Sequence, residues 1–355
     1  MVKVGVIGIG TVSQLMHLPI LSGLRELYRI TAVSDVSPAQ LACVAGEYGA
    51  KAYADPFALV RDPEVEAVFV CSPDQYHADY ALAAMEAGKH VFVEKPVALC
   101  LEDLDRLIAA EAAHPELACM VGYMRRYGEG FLKCKELLAA DSRRIEYMRF
   151  RDIILEGDFF IGQTRRPFLC SDVPESVRAE SAARRREQVG RALGECCTEQ
   201  QRTTYAMLTG LGCHTLAAVR ELVGLPERIE SVTVRGEHVI AVFRYRDFLA
   251  VYEILNDQAV VQFDAAIELY QHDRRMKIKY ETPYLRYQPQ TFEVIESTGG
   301  DTRTTLYGPD YRDPFESEVR YYHDCIAGGR RPKSDFQDAR ADLELFRDLC
   351  GRIGE

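Results

Sequence analysis

Two short clusters in this 355-residue chain have the residue types and the spacing for chemistry. The first is Glu94-Lys95-Pro96, directly after the apolar run Val91-Phe92-Val93. A lysine on a random loop is a solvated charge. At the end of a buried strand it faces the ligand crevice of a doubly wound sheet, where it can exchange a proton with a hydroxyl. The second cluster is Gly8-Ile9-Gly10, between the apolar run Val4 to Ile7 and an amphipathic stretch from Ser13 to Leu27. Strand, glycine turn, helix is the setting in which paired glycines let the backbone approach a pyrophosphate that the helix N-terminus attracts. Thr11 and Val12 complete the turn, and Ser13 stands where the full fingerprint has its third glycine. A nucleotide cradle and an ionisable amine pointing into one crevice imply redox chemistry on a small molecule.

Two further residues sharpen this expectation. Asp35 ends the second apolar run, where a carboxylate accepts the ribose hydroxyls and repels a 2′-phosphate. Val36 and Ser37 offer no arginine to bind that phosphate, so NAD is favoured over NADP. A cap for the helix opening at Pro38 is the competing role, and Ser37 could supply that equally well. His214 closes the segment Gly210-Leu211-Gly212-Cys213-His214 and opens a helix with Leu216, Val219 and Leu222. A histidine so placed is commonly a core residue, but an imidazole near neutral pH can also take a hydroxyl proton as hydride leaves the adjacent carbon.

The elements that must position these groups follow from periodicity. In the first 122 residues, strands are expected at Val2–Ile7, Ile30–Ser34, Ala67–Cys71, His90–Val93 and Ala118–Gly122. Helices are expected between them at Ser13–Leu27, Pro38–Tyr48, His77–Ala87 and Leu101–Ala113, which implies a parallel sheet covered on both faces. Beyond a helix near Gly130–Ala140 and a strand at Arg144–Ile154, the stretch Asp172–Val223 reads as largely helical. Strands at Ile229–Val234, Val239–Tyr245, Ala250–Leu255, Val260–Phe263 and Lys277–Tyr280 then follow without helices between them, the pattern of an antiparallel or mixed sheet. Helices near Pro314–Ala327 and Phe336–Ile353 close the chain. The domains are thus 1–122, a dinucleotide-binding α/β unit, and 123–355, an α+β unit for substrate and oligomerisation, with the final helices packing back on the first.

Composition excludes several classes. A net charge of −11 argues against nucleic acid or an anionic membrane as partner. The arginines between Leu155 and Tyr205 are balanced by acidic residues, making a mixed surface that we expect to shape the substrate pocket. The uncharged run from Lys3 to Arg25 is broken by Ser13, Gln14, His17 and Pro19, so it reads as a strand entering a buried helix and not as a leader or a membrane span. Eleven cysteines include no C-x-x-C or His/Cys cluster. No metal site is expected, and the thiols read as reduced, as in a cytoplasmic protein.

Taken together, the motifs resemble the glucose–fructose oxidoreductase and inositol dehydrogenase (Gfo/Idh/MocA) family along nearly the whole chain. Cys71-Ser72-Pro73-Asp74 with His77 looks like its nicotinamide-side turn. Ala87-Gly88-Lys89-His90-Val91 precedes its lysine motif, of which Glu94-Lys95-Pro96 is the hallmark. Gly122 to Tyr127 resembles its Gly-(x)3-Arg-aromatic segment, placing Arg126 near the crevice. Gly212-x-His214 looks like the centre of its D-x-G-x-H-x-x-D pattern, and Asp338-Ala339 also fits. The resemblance implies a Rossmann domain followed by an α+β domain on an open, mostly antiparallel sheet, in a homodimer or homotetramer. It also implies a cis Lys95–Pro96 bond, and hydride transfer between NAD and a secondary alcohol or ketone of a sugar or polyol. Ser72, Pro73, His77, Glu94, Lys95 and Arg126 would line the cofactor with Gly8, Gly10, Thr11, Val12 and Asp35. Lys95 would polarise the hydroxyl and His214 relay its proton. The chain departs from the pattern at Gly210 and Ala218, where the family has aspartates. That departure keeps open a glycoside-cleaving or epimerising enzyme that oxidises transiently with tightly held NAD, and a dinucleotide- or sugar-sensing protein without turnover.

Overall fold

The computed structural model describes residues 1–154, 158–163, 166–256 and 263–354, which fall into two compact units. The first comprises Met1–Gly122, Arg165–Cys196 and Glu318–Glu344. Its strands are β1 (Val2–Ile7), β2 (Tyr28–Ser34), β3 (Lys51–Tyr53), β4 (Ala67–Val70), β5 (His90–Glu94) and β6 (Cys119–Gly122). All pair in parallel, in the order β3-β2-β1-β4-β5-β6. Strands β4, β5 and β6 are largely apolar and almost wholly buried, as expected of a parallel sheet with helices on both faces. Strand order reverses between β1 and β4, so the ligand crevice of such a sheet lies beyond their carboxyl ends.

The covering helices are α1 (Leu18–Gly23), α2 (Pro38–Tyr48), α3 (Pro56–Val60), α4 (His77–Glu86) and α5 (Leu101–Ala113). The start of α2 shows why the sequence stops and starts where it does. Ser37 accepts from Gln40 N, Pro38 occupies the first turn, and Gly49 ends the helix with φ 62°. One face of the sheet is closed by aromatic packing. Phe69 stacks on Phe92 at 4.7 Å, and Tyr322 meets both edge-on.

The second unit holds Tyr123–Thr164, Cys197–Ser317 and Leu345–Glu355. It begins with α6 (Glu129–Ala140), β7 (Ile145–Ile154) and α7 (Asp158–Gly162). The next helix, α8 (Glu175–Leu193), belongs to the first unit; α9 (Glu199–Met207) and α10 (Cys213–Val223) return to the second. Then come β8 (Arg228–Arg235), β9 (His238–Arg244), β10 (Leu249–Asn256), β11 (Asp264–Gln271), β12 (Arg274–Tyr280), β13 (Gln290–Thr298) and β14 (Asp301–Asp310), followed by α11 (Pro314–Gly328) and α12 (Phe336–Gly351). The eight strands order as β14-β13-β12-β11-β7-β10-β9-β8, antiparallel except for the β7–β10 pair. The fold class is therefore the expected one, a Rossmann-like parallel sheet plus a mostly antiparallel sheet.

Differences from the sequence expectation have simple causes. The stretch Ser13–Leu27 is a π turn over Ser13–His17 followed by α1, which ends at Gly23. The edge strand β3 is short and exposed, and β14 is mostly exposed Thr, Arg and Asp, so neither carries an apolar signal. In β13 glutamates interleave with apolar residues over an incompletely buried face. The strand expected over 260–263 lies, but for Phe263, outside the described residues.

Candidate functional site

The glycine turn is built by exclusion. Gly8 has φ +83°, and a Cβ there would lie 2.5 Å from Ser72 N and 2.6 Å from Cys71 O. Only glycine allows the β1 and β4 ends to approach this closely. At Gly10 an added Cβ meets nothing within 4 Å, so that side of the turn is open to a ligand. The helix that follows pins the turn: Ser13 Oγ donates to Gly8 O (2.5 Å) and Gln14 Nε2 donates to Ile9 O (2.7 Å). Thr11 and Val12 are half-buried in its first turn. Asp35, just past β2, accepts from Ile9 N (3.0 Å) through Oδ2 and from Ser37 N (2.9 Å) through Oδ1. A close-packed glycine, an open glycine and a carboxylate held beside them fit the pyrophosphate and ribose of a dinucleotide.

Lys95 follows the last residue of β5 and is half-buried. Its neighbour Glu94 is buried and accepts from His17 Nε2 at 2.6 Å and from Lys95 N at 3.2 Å. Burial alone would raise the Glu94 carboxyl; the hydrogen bond and charge of His17, followed by the charge of Lys95, hold it below the usual carboxylate range. His17 is fully buried, its ring edge-on to Phe92 at 5.4 Å. The π turn Ser13–His17 delivers it there. His77 faces Pro96 O through Nδ1 and Ser72 O through Nε2, both at 2.7 Å. Gly8, Ser72, His77 and the cis Lys95–Pro96 bond are thereby linked in one chain of contacts. Within this unit the structure brings Gly8, Gly10, Asp35, Ser72, Pro73, His77, Glu94 and Lys95 to the carboxyl ends of β1, β2, β4 and β5. It gives Glu94 and His77 the work of holding turns.

In the second unit, His214 is half-buried at the start of α10, behind a second π turn, Leu208–Gly212. A Cβ on Gly212 would lie 2.6 Å from Tyr252 Oη, so the glycine is required where the helix meets β10. The next residue after His214, Thr215, is fully buried and donates to Asp152 Oδ1 at 2.9 Å. Arg125 also donates to Asp152 Oδ1 (2.5 Å) and to Thr215 Oγ1, and Tyr252 Oη donates to Asp152 Oδ2 (3.2 Å). Burial, with the Asp152 charge beside it, raises the Tyr252 hydroxyl well above its ordinary value. The Arg125 guanidinium also stacks over Tyr280 at 4.7 Å. Arg126, the arginine marked by the motif, is buried on Glu221 at 2.5 Å. The two missing aspartates are unlike each other. Ala218 is fully buried, whereas an added Cβ at Gly210 meets nothing within 4 Å.

Sequence reasoning missed His17, Arg125 and Asp152. His17 had a signal, an imidazole in an otherwise uncharged run; Asp152 had none, since only folding brings β7 to α10. Among the described residues no group of three or more His, Cys, Asp or Glu side chains could hold a metal, and no helix is long and apolar enough to cross a membrane.

Residues 2–123 match the family model described as an oxidoreductase family with an NAD-binding Rossmann fold. An inositol 2-dehydrogenase from Paracoccus denitrificans is 39% identical over 139 residues, 39% of this chain and 41% of that protein. An inositol 2-dehydrogenase 3 from Saccharopolyspora erythraea is 41% identical over the same coverage. The aligned region thus spans well under half the length of these relatives. Among solved structures, a 3-ketoreductase from Actinomadura kijaniata in complex with NADP and TDP-benzene superposes with TM-score 0.75 at 16% identity, over 99% of this chain and 98% of that one. A dehydrogenase from Clostridium difficile gives 0.73 at 15% identity, over 99% of both chains. At such identities the likeness establishes the fold across both units and nothing more.

Proposed function

We propose an NAD-dependent oxidoreductase function for this chain, whose residues 2–123 belong to the Gfo/Idh/MocA oxidoreductase family. The substrate class is a secondary alcohol or ketone of a sugar or polyol, as the names of the inositol 2-dehydrogenase relatives suggest. The observation that carries this reading is the linkage of the open glycine turn to the lysine turn through Ser72 and His77. When bound, the nicotinamide supplies the hydride acceptor or donor. Gly8, Gly10 and Asp35 bind and orient the dinucleotide. Glu94, fixed by His17, positions the Lys95 backbone, and Lys95 Nζ hydrogen-bonds the reacting oxygen and moves its proton. His214 is the second proton carrier in this proposal. The eleven free cysteines support a cytoplasmic location. A homodimer or homotetramer is part of the same reading, and sedimentation velocity tests it.

The decisive experiment is an NADH-linked screen of sugars and polyols, with mass spectrometry of the purified protein for retained dinucleotide. Steady NADH formation with one substrate is the expected result. Retained NAD with product but no net NADH would replace this reading by transient oxidation, which the loss of carboxylates at Gly210 and Ala218 favours. Retained NAD and no product from any candidate would leave a sensor.

A further inference from the structure

Residues 166–191 are anchored to the first unit at both ends. At one end Gln14 grips the peptide of Phe168: Phe168 N donates to Gln14 Oε1 (2.8 Å), and Gln14 Nε2 donates to Phe168 O (2.9 Å). Gln14 also holds Ile9 O, so this strap is tied to the glycine turn itself. Four residues on, Asp172 reaches the first turn of α2. Ser37 Oγ donates to its Oδ1 (2.5 Å) and Ala39 N to its Oδ2 (3.0 Å). At the other end α8 is fixed on the turn after β4. Arg184 Nε and Gln188 Nε2 donate to Gln75 O (2.8 and 3.1 Å), and Arg185 pairs with Asp74 (3.1 Å). These anchors lie past the carboxyl ends of β2, β1 and β4, so the segment crosses the switch point at which a dinucleotide lies.

A helix N-terminus attracts anions through its unsatisfied N–H groups. At α2 those groups are all accounted for. Ser37 N donates to Asp35 Oδ1 (2.9 Å), Pro38 has no N–H, Ala39 N is taken by Asp172, and Gln40 N donates to Ser37 Oγ (3.1 Å). The hydrogen bonds from Ser37 and Ala39 hold the Asp172 carboxyl below its usual range, so it is anionic at neutral pH. Two carboxylates, Asp35 and Asp172, therefore stand at one helix start that has no donor to spare.

We propose that Asp172 is a specificity-determining residue that closes the start of α2 against a 2′-phosphate and so selects NAD over NADP. The proposal rests on the reading of the first unit as a dinucleotide site in which Asp35 takes the adenosine ribose. A 2′-phosphate on that ribose projects past Asp35 toward the start of α2, and Asp172 occupies the one backbone N–H of residues 37–40 that Asp35 and Ser37 do not. Discrimination then has two layers: Asp35 from the Rossmann fold itself, and a second carboxylate delivered by the segment 166–191.

The test is the dissociation constants of NADH and NADPH by nicotinamide fluorescence, which a chain without tryptophan leaves with little background. Asp172→Asn removes the charge, and Asp172→Ser also shortens the side chain away from Ala39 N; Asp172 is exposed, so both substitutions leave the core untouched. The expected result is a NADPH Kd lowered about tenfold with NADH held within about threefold, the size of one charge-assisted contact. An unchanged NADPH-to-NADH ratio in both variants overturns the proposal. A parallel loss of both affinities also overturns it, since Asp172 would then be a strap anchor only. Wild-type protein that binds neither dinucleotide overturns the underlying reading, and this proposal with it.

Discussion

Each unit contains a helix widened by a π turn, and each π turn delivers a histidine region: Ser13–His17 in the first, Leu208–Gly212 ahead of His214 in the second. The two differ in what holds the result in place. In the first, His17 meets Glu94, a member of the same motif that presents Lys95, and the surroundings are strand ends packed by Phe69 and Phe92. In the second, the carboxylate comes from a distant strand: Asp152 of β7 gathers Arg125, Thr215 and Tyr252. Lys95 N is thus held by Glu94 of its own motif, while the residue after His214, Thr215, is held by a buried ion pair from elsewhere. The first arrangement constrains a protonatable group directly; the second constrains the helix that carries one.

The strongest test of the first arrangement is Lys95→Ala. Turnover should fall roughly 10²–10⁴-fold, as for loss of a general acid–base group, with the NADH Kd moved only a few-fold. A large loss of NADH affinity instead would make Lys95 structural. The strongest test of the second is Asp152→Ala, which strands the buried Arg125 guanidinium. It should cost about 3–5 kcal/mol in chemical denaturation, the usual penalty for breaking a buried pair. A change under about 1 kcal/mol would show that the network does not hold α10.

Smaller effects sharpen the contrast. Asp35→Ala should weaken NADH by about tenfold and NADPH less, the loss of one charged hydrogen-bond partner; equal losses would reduce Asp35 to a cap. His214→Asn should remove one limb of the pH–rate profile while leaving Tm near wild type. An unaltered profile returns His214 to the core. A last effect, on stability and not on binding or turnover, belongs to a buried carboxylate outside either arrangement. Burial, with Asp335 nearby, pushes the Glu111 carboxyl up to about 7 against partial compensation by Arg331. Its folded value is raised, so the folded state binds the extra proton, and stability falls as pH rises from about 4.5 to about 7. Glu111→Gln should abolish that part of the slope, read as Tm against pH; a slope identical to wild type would show Glu111 ionised with full compensation.

Much of this was legible before any coordinate. The Gly8–Gly10 turn, Asp35 and the lysine at the end of β5 follow from local pattern, because a parallel strand is a continuous apolar run and the crevice always lies at its carboxyl end. The helix Pro38–Tyr48 is marked at both ends by residues whose backbone preferences leave little choice. The motif marks Arg126, which pairs with Glu221, and nothing in the sequence distinguishes its neighbour Arg125, which pairs with Asp152. Likewise the arginines of the segment 155–205 read as a mixed surface balanced by acidic residues of the same segment, whereas α8 places Arg184, Arg185 and Arg191 on Asp79, Asp74 and Asp103.

By itself the sequence determined the Rossmann unit, its glycine turn, its lysine and the carboxylate Asp35 after the second strand, since each depends on spacing within one or two neighbouring elements. Only the tertiary structure decided that His17 would brace Glu94, that Asp152 would gather Arg125, Thr215 and Tyr252, and that Asp172 would stand at the start of α2. Those are pairings of polar groups far apart in the chain. They form because a buried or capped charge must find a partner somewhere, and the sequence records the need without recording which partner meets it.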